Sequence, residues 1–241
     1  MTGSADRLIE RDRSVIVAAD VATLDHLDRL VIATHDVEGI GGYKIGFALG
    51  YRFSAKGSVD AVRAHTRLPV MWDHQKAATD IPDMSKEFAS IMKEAGVDAA
   101  ILFPQSGPAT QESWTKSLQD AGVRVLTGLH MTHPKFLKSE GGYIDDTAPL
   151  LAFELAARLG VTDFIVPGNK LEAVQYYKES LDQLLGEGNY TLNAPGFITQ
   201  GGEISEMAKV AGPRWNAIVG SAIYKAADMR AAAELVTANI R

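Results

Sequence analysis

The stretch LPVMWDHQKAATDIPD, residues 68–83, decides how this chain is read. Leu68–Trp72 is a short apolar run closed by polar residues, the pattern of a strand covered on both faces. The run then stops and delivers Asp73, Lys76 and Asp80 to its C-terminal end, and a helix is predicted to begin at about Pro82. In parallel α/β folds the C-terminal ends of strands are where chemistry is placed. Two acids and a lysine inside eight residues at such a point are therefore candidate functional groups. The plain alternative is that Asp80 caps the next helix and Lys76 is a solvated surface lysine.

Outward from this stretch, eight β-like runs recur at fairly even spacing: Ser14–Asp20, Ile40–Gly46, Leu68–His74, Asp98–Pro104, Val123–His130, Thr162–Pro167, Asn189–Pro195 and Trp215–Ser221. Between them lie segments with helical periodicity. Leu24, Leu27 and Val31 form one apolar stripe, Phe88, Ile91, Met92 and Ala95 a second, and Leu151, Leu155 and Leu159 a third. Asn169 with Glu172 reads as an N-cap and its capping-box partner, opening the helix after the sixth strand. Alternating β and α elements imply a parallel sheet, and eight units imply closure into a (β/α)8 barrel, a TIM barrel. Such barrels occupy about 250 residues as one domain, so residues 1–241 are expected to form a single domain with its active site at the C-terminal ends of the strands.

Composition narrows the function. Apolar residues make up 46% and charged residues 22%, an ordinary globular balance. The formal charge of -6 argues against a nucleic-acid footprint, and an anionic substrate would need a local cationic pocket within that field. With no cysteine, disulfides, thiolate metal sites and a cysteine nucleophile are excluded. No apolar run approaches the roughly 20 residues of a membrane span, and the start, MTGSADRLIERDR, lacks the apolar centre of a signal peptide. The expectation is a cytoplasmic protein.

Two loops stand out. Met131–Asp146, after the fifth strand, is long, polar and glycine-rich, and is a candidate lid or a tolerated surface insertion. Pro195–Gly202, after the seventh strand, leads into a helix, and the eighth strand ends in Val219-Gly220-Ser221. Loops after the last two strands of a barrel often bind phosphate through backbone N–H groups, and glycine there lets the backbone approach an anion. Glycine pairs also occur in plain turns.

Charged residues mark the ends of the first three strands: Asp20, Lys44, then Asp73 and Lys76. A lysine or aspartate in an apolar strand is costly unless it is paired or opens into the barrel mouth. Ion pairs closing the barrel top would explain one such residue. Four at the same face favour a site.

These residues resemble the orotidine 5'-monophosphate decarboxylase family, over nearly the whole chain. The likeness is carried by Asp20 in VAAD, Lys44 in YKIG, the Asp73/Lys76/Asp80-Ile81-Pro82 cluster, Met131-Thr132-His133-Pro134, Val166-Pro167-Gly168 and Gln200-Gly201-Gly202. The resemblance implies a carboxy-lyase that turns orotidine 5'-monophosphate into uridine 5'-monophosphate, in de novo pyrimidine biosynthesis, with no metal or organic cofactor. It implies catalytic roles for Lys44, Asp73, Lys76 and Asp80: Lys44 positions Asp73, Asp73 faces the substrate carboxylate, and Lys76 protonates C6. Asp80 reaches into the neighbouring subunit of a homodimer. Asp20, Ile81, Thr132, Pro167, Gln200, Gly201, Gly202, Gly220 and Ser221 are implied substrate contacts. Nucleotide is then the only small-molecule partner, with no nucleic acid and no membrane.

The chain departs from the family at two places. The family spaces its cluster Asp-x-Lys-x-x-Asp, whereas this chain reads Asp-x-x-Lys-x-x-x-Asp. Residues three apart on a regular strand face opposite ways, so Lys76 joins Asp73 only if the strand ends or bulges at about His74–Gln75. The family also carries a phosphate-binding arginine where this chain has Ser221, with Arg214 and Lys225 as candidate substitutes. Two alternatives stand beside this reading. One is a magnesium-dependent 3-keto-6-phosphogulonate decarboxylase or hexulose-phosphate synthase, which needs an acidic ligand at the end of strand two, where Lys44 and Ile45-Gly46-Phe47 offer none. The other is a non-catalytic barrel that binds a phosphorylated metabolite.

A serine offers one uncharged donor where arginine offers a charged planar group. Ser221→Arg is therefore predicted to lower the Michaelis constant for the nucleotide by about tenfold, a gain of about 1.4 kcal/mol. The turnover number should change less. Steady-state constants at several salt concentrations check this. An unchanged Michaelis constant in the folded variant would place the phosphate elsewhere.

Overall fold

The structure is a computed structural model that describes residues 7–73, 75–197 and 202–240, with only the backbone of Gln75 and Lys76. Its elements run β1 (Arg13–Ala19), α1 (Leu24–Thr34), β2 (Ile40–Gly46), α2 (Phe47–Arg63), β3 (Val70–Asp73), α3 (Ser85–Ala95), β4 (Ala99–Leu102), α4 (Pro108–Asp120), β5 (Arg124–Gly128), α5 (Ala148–Arg158), β6 (Asp163–Ile165), α6 (Leu171–Leu185), β7 (Thr191–Pro195), α7 (Ile204–Val210), β8 (Trp215–Val219), α8 (Ser221–Tyr224) and α9 (Met229–Ala238). All eight strands pair in parallel with their sequence neighbours, and β8 closes onto β1. The fold is a (β/α)8 barrel, as the spacing of the apolar runs predicts.

Alternation along each strand divides the core in two. Ile16, Ala18, Met71, Ala99, Ile101, Leu126, Ile165 and Ile218 fill the barrel interior. Val15, Val17, Ala19, Tyr43, Ile45 and their equivalents face the surrounding helices. Ala18, Lys44, Met71 and Ala99 lie in one register across β1–β4. Lys44 thus stands in a layer otherwise filled by apolar side chains.

Helix α1 buries Leu27 and Val31, with Leu24 packed at the edge of the core. In α3, Met92 and Ala95 are buried and Phe88 packs on Trp114, but Ile91 is 45% exposed. The leucine stripe predicted for α5 is displaced. The buried face is Pro149, Ala152, Phe153 and Ala156, and Leu151 is 58% exposed. The alanines let the helix approach closely enough for the Phe153 ring to meet those of Phe164 and Tyr177, at 5.3 and 5.2 Å. The Asn169 capping box is not formed either. Lys170 occupies the N-cap position of α6 without a side-chain cap bond, and Asn169 Nδ2 donates instead to the Thr132 carbonyl at 3.1 Å. An N-cap accepts a backbone N–H through its side-chain oxygen, whereas the Asn169 side chain is turned so that its N–H2 group reaches the Thr132 carbonyl.

One polar chain crosses the floor of the barrel. Ser14 Oγ donates to Asn216 Oδ1 at 2.6 Å, and Asn216 Nδ2 donates to Asn193 Oδ1 at 2.9 Å, all three residues being buried. Gly41 makes room for it, since a Cβ there would lie 2.2 Å from Ser14 Oγ. Removing the middle member strands two buried polar groups. Asn216→Ala is predicted to lower unfolding stability by about 2 kcal/mol, read as a lower urea midpoint at unchanged slope. A midpoint equal to that of the parent would show that the chain is not stabilising.

Candidate active site

At the C-terminal mouth of the barrel lies a cavity of about 420 Å³. Its charged lining comes from the first three strands: Asp20 just after β1, Lys44 in β2 and Asp73 at the end of β3. Lys44 Nζ donates to Asp73 Oδ2 and lies 3.9 Å from Asp20 Oδ2. Burial pushes the lysine toward its neutral form, but Asp73 and Asp20 more than offset it, so its pKa is raised and it remains a cation. Gly46 is part of this arrangement, because a Cβ there would sit 2.6 Å from Asp20 Oδ1. Asp73 Oδ1 is buried and has no hydrogen-bond partner among the described residues. One carboxylate oxygen is thus used on Lys44, and the other is buried without a partner among the described residues.

The strand carrying Asp73 stops there, and a 3-10 turn spans Gln75–Ala78. This is the break that the expanded spacing requires, and it carries the backbone of Lys76 off the strand at the same rim. The Lys76 side chain lies outside the described residues, as do His74, Gln200 and Gly201. Asp80 and Ile81 follow on an exposed segment and are not among the residues that line the cavity. Asp80 Oδ1 accepts from the Ile81 amide at 2.7 Å.

Thr132, Gly220 and Ser221 line the cavity. Gly202 closes the loop after β7, its amide donating to the Gly196 carbonyl at 3.1 Å, while Gly196 and Phe197 form the adjoining wall. Pro167 is buried behind the wall, its carbonyl accepting from Lys170 N at 2.9 Å. Of the two candidate cations, Arg214 stands before β8 at the opposite end of the barrel, with Nε 3.5 Å from Asp12. Lys225 is exposed at the end of α8, its Nζ 6.0 Å from the Tyr224 ring centroid.

The long loop after β5 is folded. A bridge between Leu137 and Ile144 and a 3-10 turn at Lys138–Glu140 shape its outer half, while Met131, Thr132 and His133 line the cavity. Its anchor is Glu140, whose Oε2 accepts from the amides of Phe136 and Leu137 at 3.0 and 3.3 Å. Glu140 Oε1 pairs with Lys170 and lies 3.1 Å from His130 Nε2, and His130 Nδ1 lies 2.9 Å from Tyr177 Oη. Burial lowers the pKa of His130 despite the adjacent carboxylate, so the ring is held neutral. No spacing in the sequence announces this cluster, because its members lie on three separate segments. His130, Phe103 and Tyr224 are cavity residues that sequence reasoning missed. Among the described residues, no group of three or more His, Asp or Glu side chains is arranged to hold a metal ion.

Residues 13–236 match the family described as Orotidine 5'-phosphate decarboxylase / HUMPS. The chain is 28% identical over 235 residues to the orotidine 5'-phosphate decarboxylase of Methanosarcina barkeri, covering 96% of each sequence. It is 27% identical to that of Pyrococcus abyssi, covering 94% of this chain and 99% of the relative. Among solved structures, the Methanocaldococcus jannaschii orotidine 5'-monophosphate decarboxylase complexed with inhibitor BMP superposes with a TM-score of 0.83 at 19% identity, over 96% of this chain and 100% of that one. The Pyrococcus horikoshii enzyme gives 0.76 at 23%, over 94% and 99%. At these identities the structural likeness establishes the fold.

Although burial works against its ionisation, Glu140 is pulled down from an ordinary 4.5 to about 2 by Lys170, His130 and the two loop amides. A folded pKa below the unfolded one contributes stability that is complete above the unfolded value and is lost as pH falls through the folded value. Glu140→Gln is therefore predicted to be less stable than the parent at neutral pH. Its unfolding midpoint should also fall less steeply as pH drops from about 4.5 to about 2. Parallel midpoint-versus-pH curves for the two proteins would rule out Glu140 as the anchor.

Proposed function

The chain belongs to the Orotidine 5'-phosphate decarboxylase / HUMPS family, and from that premise we propose that it converts orotidine 5'-monophosphate to uridine 5'-monophosphate and CO2. The observation that carries the reading is the buried Lys44 ammonium between Asp73 and Asp20 at the cavity, with β3 ending at Asp73 and a 3-10 turn immediately beyond it. A pyrimidine carboxylate set against Asp73 breaks its bond to C6 and leaves as CO2, and the electron pair stays on C6. The Lys76 ammonium gives its proton to that carbon and is reprotonated from solvent. A fixed cation beside the developing carbanion acts where charge appears in the transition state. Asp73 repels the departing carboxylate by about 4 kcal/mol for unit charges 4 Å apart at an effective dielectric near 20. Only interactions that strengthen in the transition state raise turnover, so the lysine is given the larger role.

In this reading Thr132 contacts the base and Asp20 a ribose hydroxyl. Gln200, the backbone of Gly201, Gly202 and Gly220, and Ser221 hold the phosphate, and Pro167 supports the wall behind them. Asp80 and Ile81 act in the cavity of a second subunit, so the working unit is a homodimer. Their exposure, and their absence from the lining of their own cavity, support this assignment. The reaction belongs to pyrimidine nucleotide biosynthesis in the cytoplasm and uses the side chains alone. The magnesium-dependent chemistry of the same suprafamily is disfavoured by Lys44, a buried cation where an acidic metal ligand is required.

The direct test is decarboxylation of orotidine 5'-monophosphate by the purified chain and by Lys76→Ala. The variant is expected to lose decarboxylation while keeping its fold and its affinity for uridine 5'-monophosphate, because the proton is delivered only in the transition state. Activity within about tenfold of the parent would reject Lys76 as the proton donor. No turnover by the parent would reject the substrate.

A further inference from the structure

Helix α4 carries an unusual stripe. Residues 110, 113, 114 and 117 recur at the spacing of one helix face, where a core-facing helix presents apolar side chains. Here they are Thr110, Ser113, Trp114 and Ser117, and each places its polar atom on the segment that leads from β3 into α3. Thr110 Oγ1 donates to the Asp80 carbonyl at 3.0 Å, Trp114 Nε1 to the Ile81 carbonyl at 3.1 Å, and Ser113 Oγ to the Pro82 carbonyl at 3.0 Å. Three consecutive carbonyls are each held by a different side chain. Ser117 Oγ donates to Ser85 Oγ at 2.9 Å, and Ser85 Oγ is in turn 2.9 Å from Ser113 Oγ, which ties the first residue of α3 into the same relay.

The face that does the holding is itself fixed. Gln111 Nε2 donates to the Ala152 carbonyl at 2.7 Å and Gln119 Nε2 to the Leu159 carbonyl at 2.9 Å, so α4 is fastened to α5 and its C-terminal end. Thr110 and Trp114 are 3% and 4% exposed, whereas Ile81, only one residue from a clamped carbonyl on either side, is 57% exposed. A buried apparatus is thus spent on fixing the backbone beneath two side chains that the subunit itself leaves outside. The Asp80 carboxylate is oriented further by the Ile81 amide. Burying polar donors on a helix face is favourable only when each finds a partner, and here the partners are the carbonyls of this arm.

We propose that Thr110, Ser113 and Trp114 are positioning residues for the reaction: from one face of α4 they fix the carbonyls of Asp80, Ile81 and Pro82 and so present the Asp80 carboxylate, preorganised, to the cavity of a second copy of the chain. The inference rests on the shared-site reading above and names the residues that make it work. Holding a reacting group in place saves ordering cost at the moment of reaction, and a small misplacement is expensive in rate. The clamp acts in trans. Its loss in one subunit damages the neighbour's site.

Thr110→Val removes one donor at nearly constant shape, and Trp114→Phe removes the second while keeping a smaller aromatic ring beside Phe88, whose centroid lies 4.8 Å from that of Trp114. The double variant is expected to lose about tenfold or more in kcat/KM for orotidine 5'-monophosphate, and Thr110→Ser, which keeps the hydroxyl, to match the parent. The decisive measurement is on purified hybrids with Lys76→Ala. In such a hybrid the site that retains Lys76 receives its arm from the subunit with an intact clamp, so it should turn over at the parent's per-site rate. A surviving site that keeps the tenfold defect, or a double variant as active as the parent, overturns the inference. A hybrid of Asp80→Ala with Lys76→Ala separates the two ideas. If that hybrid is active and the clamp hybrid is not restored, only the clamp is wrong; if it is dead, the shared site falls and the clamp with it. Should the double variant not fold, Thr110→Val and Trp114→Phe are taken singly through the same mixing.

Discussion

The constraint on which this structure depends is a lysine ammonium inside a barrel. Lys44 occupies a layer whose neighbours in register are Ala18, Met71 and Ala99, and an unpaired cation there would cost several kcal/mol. It is tolerated because β1 and β3 flank β2 and end at the same height, bringing Asp20 and Asp73 to either side. The parallel sheet supplies this geometry without special contrivance. Strands of equal register deliver the residues at their C-terminal ends to one rim. The glycine at the end of β2 completes the arrangement, since any side chain on Gly46 would collide with Asp20.

The two halves of the cavity are built by different means. On the β1–β3 side, charge is fixed by strands, which are rigid and short of alternatives. On the β5–β7 side the wall is made of loops, and the one after β5 is held by a second polar cluster in which Glu140 anchors its own loop and ties it to Lys170 before α6. Asn169 continues that seam by donating to the Thr132 carbonyl. The Asn169 side chain links the start of α6 to a cavity residue.

The segment after β3 is handled in a third way. It leaves the barrel, turns through Gln75–Ala78, and is caught by the polar face of α4 before α3 begins. The extra residues of the expanded cluster are taken up in that turn, so the lengthened spacing need not move Asp73. The two cations weighed as substitutes for the arginine do not reach the cavity. Arg214 is at the far end of the barrel and Lys225 is exposed, and neither lines the cavity among the described residues.

Much of this was legible in the sequence, because local signals sufficed. Eight apolar runs with polar ends require eight buried strands, and alternation with helical segments makes them parallel. Charged residues at Asp20, Lys44 and Asp73 are placed on one rim by that topology alone. What the sequence could not determine was everything settled by partners far along the chain. The buried face of α5 is Pro149, Ala152, Phe153 and Ala156, with the Phe153 ring meeting Phe164 and Tyr177, and not the leucine stripe. Asn169 Nδ2 meets a carbonyl 37 positions away, and Lys170 takes the N-cap position of α6. His130, Glu140, Lys170 and Tyr177 meet only once β5 and α6 are adjacent, and Trp114 finds Ile81 only across the gap between two helices. Periodicity encodes which side of an element is buried, whereas hydrogen-bond choice depends on which groups the closed barrel brings within 3 Å of one another, and that is a property of the tertiary structure.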